Sequence, residues 1–408
     1  MKDKNLLTPA QIFRKSGISF LLGIFSYYLF LKIGFWFLFV FLLFVLISKK
    51  RIKEFFNSSG YFYLFLIFYF LGFSRPFYSF HINIYPEALI SFSLKLKEFI
   101  NNQFLKFFSL NEKEILTSLL FGAKGNLSLA LKSKIQKVGL AHLVAVSGFH
   151  LSFLNQGLSF FLQEFFNLNI RWLFPILIFF NLIFVATAQF TPSVIRSAIM
   201  AFFSSLASFN YRFYHPSNAL LATLILMLFY NPSFIFDVSF QLSFLATIGI
   251  LYFAPLIENL FSQSEEIFLE ESFFLKIKKF LLKVLILNFS SFLTTFPLVI
   301  YHFSNLSLVS PLVNLLVLPL IPYIMGLSIP FIFFSSFSFY LGLVFVLLLK
   351  ILLNYFFFII NTFSQLPFAS IDFSLFWRYI SLAFYFFVLY FYIWLKKKNE
   401  LKIKKLFQ

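Results

Sequence analysis

The sequence predicts an all-α polytopic integral membrane protein with roughly 10–13 transmembrane helices, some of them short or broken. Three observations lead there. Hydrophobic residues make up 60% of the 408 and charged residues only 12%, half the charge of an average soluble domain at about 25%. Apolar runs at 17–48, 172–190, 279–301 and 342–363 reach or approach the ~20 residues that cross a bilayer. These runs are continuous rather than alternating, which argues against a β-barrel.

Charge sets the expected orientation. The net charge is +18, and much of it flanks the apolar runs. Lys2, Lys4, Arg14 and Lys15 precede the first run, Lys49, Lys50, Arg51 and Lys53 follow it, and Lys396, Lys397, Lys398, Lys402, Lys404 and Lys405 come last. The positive-inside rule places all three clusters, and with them both termini, in the cytoplasm. Residues 17–48 then form a hairpin of two short helices broken near Lys32–Gly34, and the number of crossings is even. The lysines serve topology and contact with anionic lipid; a nucleic-acid patch is the alternative. The N-terminus shows no small-residue cleavage site, so the first helix is expected to stay as an anchor in the cell (inner) membrane. Cysteine is absent, which excludes a disulfide framework and a thiolate metal site. No cofactor or metal is expected.

Phenylalanine is over-used, with 72 residues. Lipid-facing surfaces accept any large apolar side chain, so drift toward A/T-rich codons accounts for the excess; an aromatic ladder stacking on bases is the other reading.

Four stretches follow from the composition. Residues 1–75 hold the hairpin and a third span at 60–74. Residues 76–135 are more polar, and the apolar positions Leu94, Phe99, Leu105 and Phe108 suggest extracytoplasmic amphipathic helices lying on the membrane or covering the bundle. Residues 136–395 crowd spans at 141–161, 172–190, 192–209, 217–231, 235–256, 280–301, 305–325, 327–340, 342–363 and 375–395, with a charged, solvated linker at 257–279. Residues 396–408 form a basic cytoplasmic tail, with no soluble domain expected after the last span.

Polar residues in the apolar runs are costly and so are functional candidates. Gly139–Leu151 holds His142, Ser147, Gly148 and His150, two of only five histidines. Ser147 and His150 are neighbours at i, i+3, and Gly148 invites a helix break that would line a cavity. Thr191–Pro192 reads as a helix start, with the hydroxyl capping and proline at the first position. Arg196 then sits one turn in. It either snorkels to an interface or, given Ser193, Ser197 and Ala198, faces a close helix contact. Asp237 is one of three aspartates and shares a helical face with Gln241 at i, i+4. Asp237 pairs with Arg196 or is a solvated helix-start residue. Pro297, Pro311, Pro319 and Pro322 imply kinked or interrupted helices around Asn314.

Together these motifs resemble the membrane channel domain of the ComEC family of DNA-uptake (competence) proteins. Gly139-Leu140-Ala141-His142-Leu143 running into Ser147-Gly148-Phe149-His150 is similar to the family's first signature. Pro192-Ser193-Val194-Ile195-Arg196 with Met200, then Asn231-Pro232 and Phe240–Phe244, then Pro297 and Pro311 through Asn314 to Pro319, follow in the family's order. The resemblance covers about residues 118–325. It departs from long family members in two places: 75–115 is too short for their OB-like domain, and no His-x-His-x-Asp-His cluster of their nuclease domain is present.

The resemblance implies a conduit for single-stranded DNA during natural transformation, with no catalytic residue. His142, Ser147, Gly148, His150, Arg196, Asp237, Gln241 and Asn314 form the implied path, and Arg196 is the expected phosphate contact. A water-filled path with cationic and hydrogen-bonding groups is what a polyanion needs. No Gly-x-x-x-x-Gly-Lys-Ser/Thr loop is present, so energy comes from a partner. The resemblance implies a cytoplasmic ATPase and an extracytoplasmic DNA receptor. Membrane lipids and a homo-oligomer complete the expected partners. Two other readings compete. One is a small-molecule or lipid transporter on the same fold. The other is an intramembrane hydrolase using Ser147 with His150 or His142, against which stands the missing elbow glycine two residues before Ser147.

Overall fold

With no water nearby, each backbone amide must be satisfied inside its own segment, so apolar runs become helices and proline, glycine and capping residues set their ends. The computed structural model describes residues 8–33, 67–69, 71, 72, 74, 87–122, 127–141, 148–261 and 273–406. In chain order these give α1 (Pro9–Ile33), α2 (Glu87–Leu105), α3 (Leu110–Phe121), α4 (Leu129–Lys137), α5 (Gly148–Phe166), α6 (Ile170–Thr187), α7 (Pro192–Phe209) and α8 (Pro216–Tyr230). A 3-10 turn (Pro232–Phe236) leads to α9 (Val238–Ile248), a π-helical turn (Gly249–Phe253), α10 (Ala254–Phe261) and α11 (Phe273–Phe303). Then come β1 (Asn305–Ser307), α12 (Ser310–Val317), α13 (Leu320–Phe337), α14 (Phe339–Ser364), β2 (Ser370–Asp372) and α15 (Leu375–Leu406).

Among the described residues, seven helical stretches are long and apolar enough to cross a membrane: α6, α7, α9–α10, Ile277–Phe303 of α11, α12–α13, α14 and Tyr379–Glu400 of α15. The short apolar α8 is an eighth candidate. The protein is an all-α multi-pass membrane protein. The sequence count was higher partly because 305–325 and 327–340 are not two spans. They form one span, Ser310–Phe337, interrupted between α12 and α13. Pro319 stands at that interruption, where its missing amide hydrogen ends the α12 ladder. At the expected break, Lys32 and Ile33 are still helical as the last residues of α1, while Gly34 and most of the span at 60–74 lie outside the described residues.

Local chemistry explains several boundaries. Ser109 donates its N–H to Glu112 Oε2 at 2.7 Å and so opens α3. Gly139, at φ +77°, closes α4: its N–H donates to Gln136 O and that of Leu140 to Ile135 O. Only glycine adopts this left-handed closing geometry without strain. Pro192 does start α7, but the Thr191 hydroxyl makes no hydrogen bond among the described residues; the Thr191 carbonyl instead accepts from Val194 and Ile195. The expected linker is shorter than 257–279, because α10 runs to Phe261 and α11 begins at Phe273, so Lys276, Lys278 and Lys279 are helical.

The described residues fall into two compact units, residues 1–84 with 202–237 and residues 85–201 with 238–408. In the first, α1 packs on α8. Leu221 and Ile225 close over Gly17, Phe20 meets Phe229 at 6.3 Å, and Arg14 Nε donates to Asn218 Oδ1 at 2.9 Å.

The second unit holds a large core. Phe331 of α13 is fully buried, stacked on Phe104 of α2 (5.6 Å, 6°) and met edge-on by Phe107 and Phe108. Ile115, Leu116 and Leu119 of α3, Ile321 and Ile324 of α13, and Leu349, Leu353 and Ile360 of α14 extend it. The covering face of α2 differs from the expected one. Phe108 is buried, but Leu94, Phe99 and Leu105 are exposed, and Ser93, Ile100, Gln103 and Phe104 face the bundle. Burial of its stem holds the Lys97 amine of this helix below the usual lysine pKa.

A second cluster joins α10, α11 and α15 through Ala254, Ile257, Ile286, Leu293, Val388 and Leu395. Three hydrogen bonds tie α15 along its length. Ser381 Oγ donates to Pro297 O (2.9 Å), Tyr385 Oη to Thr294 O (3.1 Å) and Asn399 Nδ2 to Leu256 O (3.0 Å). The basic stretch from residue 396 is a continuation of α15, helical to Leu406, rather than a separate tail.

Candidate functional site

Arg196 organises the polar geometry of the second unit. Pro192 starts α7, which sets Arg196 one turn inside the helix, at 8% exposure. Its Nε donates to Ser243 Oγ of α9 at 2.7 Å, and Nη1 lies 3.1 Å from Met200 Sδ one turn along α7. The guanidinium carbon sits 6.0 Å from the centre of the Phe244 ring, at the outer reach of a cation–π contact. Backbone forms another wall: a Cβ on Gly148 would stand 2.5 Å from Arg196 Nη2 and 3.0 Å from Ser197 Cβ. Glycine at the start of α5 therefore makes room for the guanidinium. A buried cation is stable only with hydrogen-bond partners around it; Ser243 and Met200, from two separate motifs, supply them, and Gly148 of a third leaves the space.

Polar contacts continue to either side. Gln241 Oε1 and His302 Nε2, at the end of α11, are 3.1 Å apart, within hydrogen-bonding distance. Asn314 is buried in α12 and donates from Nδ2 to Ser310 Oγ at 3.2 Å. Ser310 in turn lies under Gly139, where an added Cβ would stand 2.5 Å from its Cβ and Oγ. His150 is fully buried in the first turn of α5. Asn305 Nδ2 donates to Asp372 Oδ1 at 2.7 Å across the β1–β2 ribbon, paired in antiparallel register.

Thus the structure brings Gly148, Arg196, Ser243 and Phe244 together, with Gln241 on His302 and Asn314 on the Gly139–Ser310 contact. His142 and Ser147 lie outside the described residues. Asp237 does not share a helical turn with Gln241. It is extended (φ −75°, ψ 125°), just before α9, and its N–H donates to Phe234 O at the end of the 3-10 turn begun by Pro232. It falls in the first unit, whereas the Arg196 partners named above belong to the second.

Sequence reading missed Ser243, His302 and Ser310 as site residues. The scarcity of histidine was a usable signal for His302; a serine in an apolar helix gives none until its partner is known. It also missed the pair Asn155–Asn181, whose amides join α5 and α6 at 2.8 Å. Ser243→Ala removes the Arg196 Nε acceptor with little change of shape. It is expected to lower stability in detergent by about 1–2 kcal/mol, read as a lower thermal midpoint; an unchanged midpoint would show that the bond contributes nothing.

Comparison with known proteins places this geometry. The family model for "Competence protein" matches residues 119–398, which contain every contact of the second unit's site. Over 187 residues the chain is 28% identical to "ComE operon protein 3" of Bacillus subtilis (strain 168), covering 45% of this chain and 21% of that protein. Over 158 residues it is 32% identical to an Aquifex aeolicus (strain VF5) protein named "Uncharacterized protein", covering 38% of this chain and 35% of that one. The matched stretches thus span 21% and 35% of those relatives' own lengths. No solved structure matches the chain. With the family match spanning more than half of its residues, the chain belongs to the competence protein family, as the ComEC-like motifs implied.

Proposed function

We propose that this competence-family protein is a conduit that passes single-stranded DNA across the cell membrane during natural transformation. The observation that carries this reading is the meeting of Gly148, Met200 and Ser243, from three motifs, around the buried Arg196 cation. Gln241–His302 and Gly139–Ser310 lie at the corresponding helix ends. Arg171 at the start of α6, Lys278 and Lys283 near the start of α11, and Lys396–Lys398 near the end of α15 mark the opposite ends of their helices. The positive-inside rule assigns those basic ends, with both termini, to the cytoplasm, so the Arg196 cluster lies at the outer mouth.

A polyanion arriving there meets a guanidinium enclosed by Ser243, Met200 and Phe244. Opening requires α5, α7 and α9 to part, with phosphate oxygens replacing the serine hydroxyl and the weakly accepting thioether. His150, in the first turn of α5, and Asn314, in α12, are further polar groups of the path, and His142, Ser147 and Asp237 are assigned to it by the resemblance. A cytoplasmic ATPase and an extracytoplasmic DNA receptor are the partners this role calls for, and self-association into a homo-oligomer fits it as well.

The direct test deletes the gene and follows uptake of labelled DNA together with transformation. Uptake falling to background and returning with a plasmid copy is the expected result; unchanged uptake sinks the proposal. Ser147→Ala is expected to retain uptake, since the conduit needs no nucleophile, and its loss would point to hydrolysis instead.

A further inference from the structure

Lys350 stands near the middle of α14, the most apolar of the candidate spans among the described residues, and the contacts described above do not involve it. Helix α14 has 26 residues and is about 39 Å long at ~1.5 Å per residue. Lys350, its twelfth residue, therefore lies within about 4 Å of the midpoint. With hydrocarbon ~30 Å thick, the nearer boundary is ~12 Å away, and a lysine stem covers about half of that. Snorkelling does not reach.

Nor is Lys350 neutralised by a neighbour. Among the described residues it makes no hydrogen bond or ion pair, and neither does Asn354 one turn on. At about 100° per residue, Lys350, Asn354 and Asn361 fall within ~40° of one another, on the flank of α14. They stand beside the buried face of Gly342, Val346, Leu349, Leu353, Phe356 and Ile360. Lys350 and Asn361 are half-buried and Asn354 is exposed. At the upper end of the stripe, Asn361 Oδ1 accepts from Lys134 Nζ of α4 at 2.8 Å. Helix α4 carries exposed Lys132, Lys134 and Lys137 and no acidic residue, and Gly139 at its end joins it to Ser310. A polar stripe thus descends from a basic helix at the site end to the membrane midplane, cation at each end and amides between.

We propose that the Lys134–Asn361–Asn354–Lys350 stripe is a phosphate track, one wall of an aqueous path through the second unit, with Lys350 as its mid-membrane cation. The identity of the polyanion rests on the conduit reading; the track itself does not. Cations about 17 Å apart along the helix, at ~1.5 Å per residue, with amide donors between them hold a chain of phosphates weakly and at many places. A moving polyanion requires that, whereas a tight site would trap it.

The chain contains no cysteine, so single-cysteine variants report cleanly. K350C, N354C and N361C are compared with I351C and F358C, whose parent side chains are 65% and 64% exposed on the lipid side. A charged, membrane-impermeant methanethiosulfonate is applied to the full chain in proteoliposomes. Positions 350, 354 and 361 are expected to react at least tenfold faster than 351 and 358, and a single-stranded oligonucleotide is expected to slow the reaction at 350. Silence at the three stripe positions, or equal reaction at all five, overturns the track. Disulfide-linked dimers of N354C would assign the stripe to contact between copies and overturn it as well. In cells, K350Q is expected to lower DNA uptake at least tenfold without reducing the amount of protein in the membrane. Stripe-selective labelling with DNA uptake unaffected by gene deletion supports the track and removes DNA as its cargo; deletion-sensitive uptake with unselective labelling does the reverse.

Discussion

Arg196→Glu is expected to cut DNA uptake about 100-fold or more, equivalent to roughly 3 kcal/mol, the order for leaving a buried charge without its partners. The side chain is 8% exposed, and its Nε donates to Ser243 Oγ at 2.7 Å. A carboxylate there has no N–H to offer and brings negative charge to the face of Phe244, which repels it. It would also repel incoming phosphate.

Loss of fold is the competing explanation, so Arg196→Lys is the informative companion. A lysine keeps the charge but concentrates it at one point. It cannot reach Ser243 and Met200 and lie against Gly148 at once. About tenfold lower uptake with unchanged membrane levels is expected for the lysine variant. Uptake equal to the parent in both variants would remove Arg196 from the function.

Gly249→Leu is expected to be the most damaging substitution in the packing, costing about 3 kcal/mol or more by overpacking. Gly249 begins the π-helical turn between α9 and α10, and a Cβ there would collide with the Ser290 carbonyl oxygen of α11 and stand 2.5 Å from Thr294 Oγ1. Neither obstacle swings away. One is backbone, and the other is held by donating to Leu245 O at 2.8 Å. Thermal melting in detergent should show a large drop for the leucine variant and a smaller one for Gly249→Ala. Gly157 is the control, since nothing lies within 4 Å of its added Cβ; Gly157→Ala should be neutral or stabilise by up to about 1 kcal/mol. Equal melting of the Gly249 and Gly157 variants would contradict the close approach.

Much of this architecture is legible in the sequence because hydrocarbon demands long apolar helices and proline punctuates them. Pro192 at the start of α7 and the interruption near Asn314 were readable on those grounds. The boundary between the expected spans 305–325 and 327–340 was nonetheless misplaced, since Gly326 sits inside α13. Glycine is tolerated in a packed helix, whereas Pro319 removes a backbone donor, so proline was the stronger signal. For α2 the sequence left two placements open, lying on the membrane or covering the bundle, and the apolar positions alone do not choose between them. In water, an apolar stripe marks the buried face; beside lipid, Phe99 and Leu105 can face outward at no cost while Gln103 turns inward.

The candidate site was legible as scarce polar residues in ordered motifs, and Gly148 and Arg196 do fall together. Their partners were not legible. Ser243 and Ser310 gain meaning only through distances of 2.7 Å to Arg196 and 3.2 Å to Asn314. For Asp237 the helix-start alternative holds: the 3-10 turn after Pro232 delays the start of α9 to Val238, so Asp237 precedes the helix rather than sharing a turn with Gln241.

Helix α15 has a mechanical consequence. It is one unbroken rod, about 48 Å long at ~1.5 Å per residue, from Leu375 to Leu406. Its basic end is continuous with a shaft bolted to the Pro297, Thr294 and Leu256 carbonyls. A hydrogen-bonded helix does not shorten along its axis, so thrust or torque on the lysine end is not absorbed locally. It arrives at Pro297 and Thr294 on α11, and at Leu256 just beyond the π-helical turn, where the neighbouring helices are least regular.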